Sequence, residues 1–164
     1  MTNLWKQQGI PHKGWTLVNV YDVREDGQSA NETSYETCMM CGREKIRYVH
    51  VVSHPDYGDE LLVGCQCAEK LTDDYINPQL REKELRNRNR QRSGFLKRKW
   101  KISAKGNEYL KIDNHHILIL EDSKTHRFSV KIDDNWGKKH FDTPEQAKTA
   151  AFKGIEYYKN RGEW

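Results

Sequence analysis

The sequence predicts an α+β fold: a treble-clef-like zinc module, a basic connecting helix, and a C-terminal antiparallel sheet packed by one helix. Three observations carry this expectation. All four cysteines lie between Cys38 and Cys67, as a Cys-x-x-Cys-Gly and a Cys-x-Cys. A long polar stretch from Asn77 to Arg92 has helical character, and beyond it short apolar runs alternate with turn residues. The expected divisions are 1–76 for an N-terminal strand plus the zinc module, 77–94 for the helix, and 95–164 for the sheet with its helix.

The first strand is "GWTLVNVYDV", rich in β-branched and aromatic residues, followed by the polar loop "REDGQSANETS". Asn77 is placed to cap the connecting helix, Pro78 suits its first position, and Ser93-Gly94 end it. Glu82–Arg86 and Glu84–Arg88 are favourable i,i+4 pairs. Only Leu80 and Leu85 are apolar before Ser93, so most of this helix must face water or a partner. "FLKRKWKIS", "EYLKI", "HHILIL" and "RFSVKI" are the later strand candidates. Lys105-Gly106-Asn107, Asp113-Asn114 and "EDSKT" supply turns between them. A final helix opens with Thr143 as cap, Pro144 first and Gln146 completing a capping box. Ala147, Ala151, Ile155 and Tyr158 give it a small-residue face able to lie closely on a sheet.

The 164 residues allow one medium domain or two small ones. Mean hydropathy is −1.01, so a small set of large side chains, including five Trp and eight Tyr, must build the core. The longest apolar run, Ile117 to Leu120, is far too short for a membrane span. The N-terminal stretch lacks the pattern of a signal peptide, so the expected location is a reducing cytoplasm, where clustered cysteines more often bind metal than pair. Net charge is +4, but Arg81–Lys101 holds ten Lys or Arg against two Glu, leaving 18 basic and 22 acidic residues elsewhere. Positive charge is therefore a property of one segment, as expected of a surface facing a polyanion.

Zinc takes about four thiolate or imidazole ligands in a tetrahedron, and a Cys-x-x-Cys knuckle presents two thiolates. Cys38 and Cys41 form the knuckle, and Gly42 follows where positive φ is often needed. "LLVGCQCAEKL" reads as a strand running into a helix, which puts Cys65 and Cys67 near a helix N-terminus, where thiolate is favoured. The expectation is one structural Zn2+ held by Cys38, Cys41, Cys65 and Cys67, with His50 or His54 as substitutes for a member of the second pair. Strand alternation puts His50, Val52 and His54 on one face, which would make the two histidines line a surface.

The order of CxxCG, a strand bearing histidine, proline and a second cysteine pair resembles the zinc-stapled HNH nucleases over residues 38–71. That resemblance implies His50 or His54 as the catalytic base. No acidic residue directly precedes His50, however, and "AEKLTDDYINP" offers no second histidine. Over residues 14–110 the chain also resembles a group of uncharacterised bacterial and phage proteins. The shared elements are CxxCG (Cys38–Gly42), IRYVH (Ile46–His50), His54-Pro55 and VGCxCA (Val63–Ala68). Residues 127–158 resemble the three-strand-plus-helix DNA-binding domains of the ethylene-response-factor and integrase-arm type, through Phe141–Ala147 and Ala150-Ala151. This likeness implies a basic-aromatic sheet for the DNA groove, to which Arg127, Lys131, Lys138 and Lys139 would contribute.

Arg86, Arg88, Arg90 and Arg92 alternate with Asn and Gln, residue types suited to phosphate and base contacts. Lys97, Arg98, Lys99 and Lys101 surround Trp100, a candidate stacking platform for unpaired bases. The expected function is a zinc-stabilised nucleic-acid-binding accessory protein of phage or mobile-element origin, with no catalytic residues. One alternative is a protein-binding inhibitor of a host or defence nucleoprotein, whose partner would be an acidic or nucleic-acid-binding protein. A second is an HNH-like metal-dependent nuclease using His50 or His54.

Overall fold

A computed structural model describes residues 3–164 as a mixed α/β protein with two antiparallel sheets and three α-helices. The chain forms two compact units, one ending at Asn89 and the other spanning Arg90–Trp164.

In the first unit, β1 (Thr16–Asp22), β2 (Tyr48–His54) and β3 (Tyr57–Val63) form a sheet in that order, with β2 central. A bulge between Leu17 and Asn19 shifts the β1–β2 register. Helix α1 (Cys65–Thr72) follows β3 directly and packs on β1 and β2. Between them lie Trp15, Met40, Val52, Leu61, Val63, Ala68 and Leu71, together with Cys38 and Cys67. His50, Val52, Leu61 and Val63 share one sheet face by register, and all four are buried. The face expected to display His50 at the surface is thus the covered one. His50 is fully enclosed, while His54 lies at the strand end with its ring 5.3 Å from that of Trp15.

Helix α2 (Asn77–Leu96) starts differently from the expectation and ends later. The Asp74 carboxylate accepts from the Ile76 and Asn77 amides and from the Asn77 side chain, so Asn77 donates rather than caps. Ser93 and Gly94 do not stop the helix, because Phe95 one residue on is buried against Phe152 and Trp100. Burial of one aromatic ring outweighs roughly 1 kcal/mol of unfavourable glycine propensity.

In the second unit, β4 (Lys101–Ile102), β5 (Glu108–Ile112), β6 (His115–Glu121), β7 (Phe128–Ile132) and β8 (Asn135–Trp136) form an antiparallel meander. The run "FLKRKWKIS" yields only the two residues of β4, since its start belongs to α2; the short β8 was not anticipated. Asp113 and Asn114 both take positive φ, 50° and 67°, as a type I′ hairpin requires. Helix α3 (Pro144–Asn160) begins with Thr143 accepting from the Gln146 amide, while the Gln146 side chain accepts from the Asp142 amide. Its buried Ala147, Ala151, Phe152 and Ile155 meet Leu110, Ile117, Ile119, Val130 and Ile132. Gly154 permits this close approach, since a Cβ there would lie 2.8 Å from Ile132 Cδ1.

Candidate functional site

The knuckle is closed by two backbone bonds, Cys38 N–H to the Arg43 carbonyl and Gly42 N–H to the Cys38 carbonyl, each 2.8 Å. Gly42 has φ 80°, accessible to glycine without a Cβ clash. The turn faces the first turn of α1, and Cys38, Cys41 and Cys67 bring their sulfurs within 4.8 Å of one another. These three residues could hold a metal ion. Two further N–H groups point at the sulfurs: Trp5 Nε1 donates to Cys67 at 3.4 Å, and the Gly64 amide to Cys38 at 3.5 Å. The hydrogen bond from the Cys67 thiol, opposed by burial and aided by backbone amides, lowers the Cys38 pKa to about 5. The same contact, with burial, pushes the Cys67 thiol upward. A thiolate is therefore already favoured at one of the three positions.

Cys65 stands apart from this group. It is the first residue of α1 and Cys67 the third, so the two side chains leave the helix about 160° apart and Cys65 falls outside the three-cysteine group. Cys65 instead lies with His50 and Glu82, whose ligand atoms also fall within 4.8 Å of one another. Its thiol donates to Glu69 Oε1 at 3.4 Å. Burial first, then the charge of Glu82 and the bond to Glu69, push the Cys65 thiol up to about 12. All four cysteines, with Glu82, line an open cavity of about 510 Å³ whose remaining wall includes Arg24, Arg43, Lys45, Arg47 and Arg86.

The histidines considered as bases have defined surroundings. His50 Nε2 is 3.2 Å from the Pro78 carbonyl, and no water-facing surface remains on its ring. His54 Nδ1 accepts from the Asp56 amide at 3.0 Å, which fixes the turn between β2 and β3.

The arginine run divides by environment. Arg86 donates to Glu82 at 2.7 Å and lies over the Tyr48 ring at 4.5 Å. Arg88 makes a bidentate contact to Asp26, at 2.9 and 2.8 Å. Arg92 is half-buried, whereas Arg90, Lys97, Arg98, Lys99 and Lys101 are exposed. Trp100 is half-buried against the second unit's core, edge-on to Phe95 at 5.5 Å and with Lys148 Nζ 4.9 Å from its ring centroid.

The sheet of the second unit extends this basic segment. Register aligns Lys101, Tyr109, Leu118, Lys131 and Trp136 across five strands, on the face opposite α3. Tyr109 stacks on His116 at 5.3 Å, and Lys131 Nζ is 5.4 Å from the exposed Trp136 ring. Arg127, by contrast, donates to the His140 carbonyl and pairs with Asp142. Lys138 and Lys139 are exposed.

Sequence reasoning passed over Glu69, Glu82, Tyr109 and Trp136 as site residues. The Cys65–Glu69 spacing of four along a helix was readable; the role of Trp136 needed the strand register. Compared with protein-family models, with curated proteins and with solved structures, the chain matches none. Among the described residues, no helix is long and apolar enough to cross a membrane.

Proposed function

We propose that this chain is a zinc-stabilised nucleic-acid-binding protein, with Zn2+ as a structural ion on Cys38, Cys41 and Cys67 and nucleic acid bound by the second unit. The order of knuckle, β-hairpin and helix N-terminus supports a treble-clef-like reading of the first unit. Three thiolates suit Zn2+, and the N–H groups of Trp5 and Gly64 support their charge.

The observation that carries the nucleic-acid reading is the cross-strand row that continues the basic segment. Lys101 ends a basic stretch in which Arg90, Lys97, Arg98 and Lys99 are exposed, and it opens the row through Tyr109 and Lys131 to Trp136. Cations attract phosphates, and exposed aromatic rings stack on unpaired bases with little dependence on sequence. Single-stranded nucleic acid is the substrate class that uses both. Because Arg86 and Arg88 are engaged with carboxylates, the contacts are assigned to Arg90, Lys97, Arg98, Lys99 and Lys101 with Tyr109 and Trp136.

Fluorescence anisotropy with single- and double-stranded oligonucleotides over a salt series tests this. Converting Lys97, Arg98, Lys99 and Lys101 to Gln should weaken binding and flatten the slope of log affinity against log salt by about 0.7 per lost contact on single strands. Trp136→Ala should weaken single-strand binding by roughly 1–3 kcal/mol, about five- to 150-fold. Wild-type protein that binds no nucleic acid, or a quadruple variant with an unchanged slope, would refute the reading.

A further inference from the structure

We infer that His50, Cys65 and Glu82 form a second metal site, distinct from the three-cysteine group, that takes a borderline divalent cation such as Zn2+. The three ligand atoms lie within 4.8 Å of one another, and they come from three elements: β2, α1 and α2. Imidazole nitrogen, thiolate sulfur and carboxylate oxygen are the donor types that Zn2+ combines, and three protein ligands leave one position for water or another ligand.

Two features are unexplained by packing alone. His50 is wholly buried, and its Nδ1 has no hydrogen-bond partner, although buried imidazole nitrogens are usually satisfied. Its other ring nitrogen, Nε2, is 3.2 Å from the Pro78 carbonyl and 3.7 Å from Glu82 Oε2, which holds the imidazole against α2. Glu69, only 7% exposed, places its carboxylate between the Cys65 thiol and the Gln79 side-chain amide, at 3.4 and 3.2 Å, with no cationic side chain among its hydrogen-bond partners. Beside it, Glu82 meets Arg86 on one oxygen and faces His50 with the other, at 3.7 Å. Arg86 balances Glu82, but the hydrogen bonds of Glu69 to Cys65 and Gln79 bring that buried carboxylate no positive charge. A divalent ion supplies it, with Glu69 as the group that orients Cys65 rather than as a ligand.

The site explains the Cys-x-Cys spacing. Residues two apart on a helix face different ways, so the pair serves two centres: Cys67 the knuckle, Cys65 the buried histidine.

The test is metal content of the full-length protein by elemental analysis, joined to Co2+ substitution and its thiolate-to-metal absorption. Wild-type protein should carry two ions per chain. Cys65→Ser and Glu82→Gln should each reduce this to one and leave the intense three-thiolate absorption; Cys41→Ser should reduce it to one and leave the weaker single-thiolate band. Circular dichroism of each variant checks the fold, and Glu82→Gln, which keeps the shape of a half-buried side chain, keeps the test open should Cys65→Ser fold poorly. One ion per chain, lost in Cys41→Ser and untouched by Cys65→Ser and Glu82→Gln, would overturn the second site while leaving the three-cysteine reading intact. One ion lost in both Cys41→Ser and Cys65→Ser would instead show a single four-cysteine centre and also overturn it.

Discussion

Arg88 and Arg90 lie two residues apart on α2, and their surroundings predict opposite consequences for the same substitution. Arg88 spans both oxygens of Asp26, whose side chain is 8% exposed, while Arg88 itself is 32% exposed. Arg88→Gln removes two charge-assisted hydrogen bonds from that enclosed carboxylate. Hydrogen bonds to charged groups are worth about 1.5–3 kcal/mol, and the arginine's partial exposure reduces this to roughly 1–2 kcal/mol. In a domain of about 60–100 residues each kcal/mol lowers the melting midpoint by about 4–8 °C, so a fall of about 4–16 °C is expected. Arg90 is exposed. Arg90→Gln should therefore change stability by no more than about 0.5 kcal/mol. It should instead flatten the salt dependence of nucleic-acid binding by about 0.7–0.9, which Arg88→Gln leaves unaltered. Differential scanning fluorimetry and anisotropy titrations on the two single variants measure both effects. Equal melting midpoints, or a salt slope altered by Arg88→Gln and not by Arg90→Gln, would refute this division of the helix.

Cys67→Ala should cost the protein one metal ion per chain and lower its melting midpoint; chelation of the wild type should do the same, and a midpoint indifferent to both would show that the three-cysteine group is only packed thiols. Leu61, with no exposed surface, lies between the sheet and α1, so Leu61→Ala should lose about 2–5 kcal/mol in urea unfolding; a loss well below 1 kcal/mol would mean that this core is loosely packed. Burial raises the Asp22 pKa, yet hydrogen bonds from Arg47, the Arg24 amide and Asn89 outweigh it and hold the group below its ordinary 3.8. Its contribution to stability is thus complete above pH 3.8 and disappears as pH falls through the lower folded value. Asp22→Asn should flatten that acid limb of the stability curve, and a limb of unchanged steepness would assign it to other carboxylates.

Much of the secondary structure was legible because local rules decide it. The β1, β5, β6 and β7 strands follow from β-branched runs, the Asp113-Asn114 hairpin from two residues that tolerate positive φ, and α3 from Thr143, Pro144 and its alanine face. The knuckle was equally local, since Cys38, Cys41 and Gly42 close on one another. The end of α2 was not, because Ser93-Gly94 signals a stop that only the burial of Phe95 in another part of the chain overrides.

What the sequence by itself determined is the chemistry available: four cysteines, two histidines between them, and a basic segment with aromatic residues beyond it. Which of these meet was decided by the tertiary structure. The start of α1 at Cys65 turns Cys65 and Cys67 away from each other, and packing of α1 on the sheet buries His50. The opening turns of α2 then bring Glu82 to that histidine from 32 residues away. Strand register, likewise, aligned Lys101 with Trp136. Periodicity tells which face of an element a side chain occupies, but the partner opposite that face is set by pairing and packing over long sequence separations, where no local preference acts.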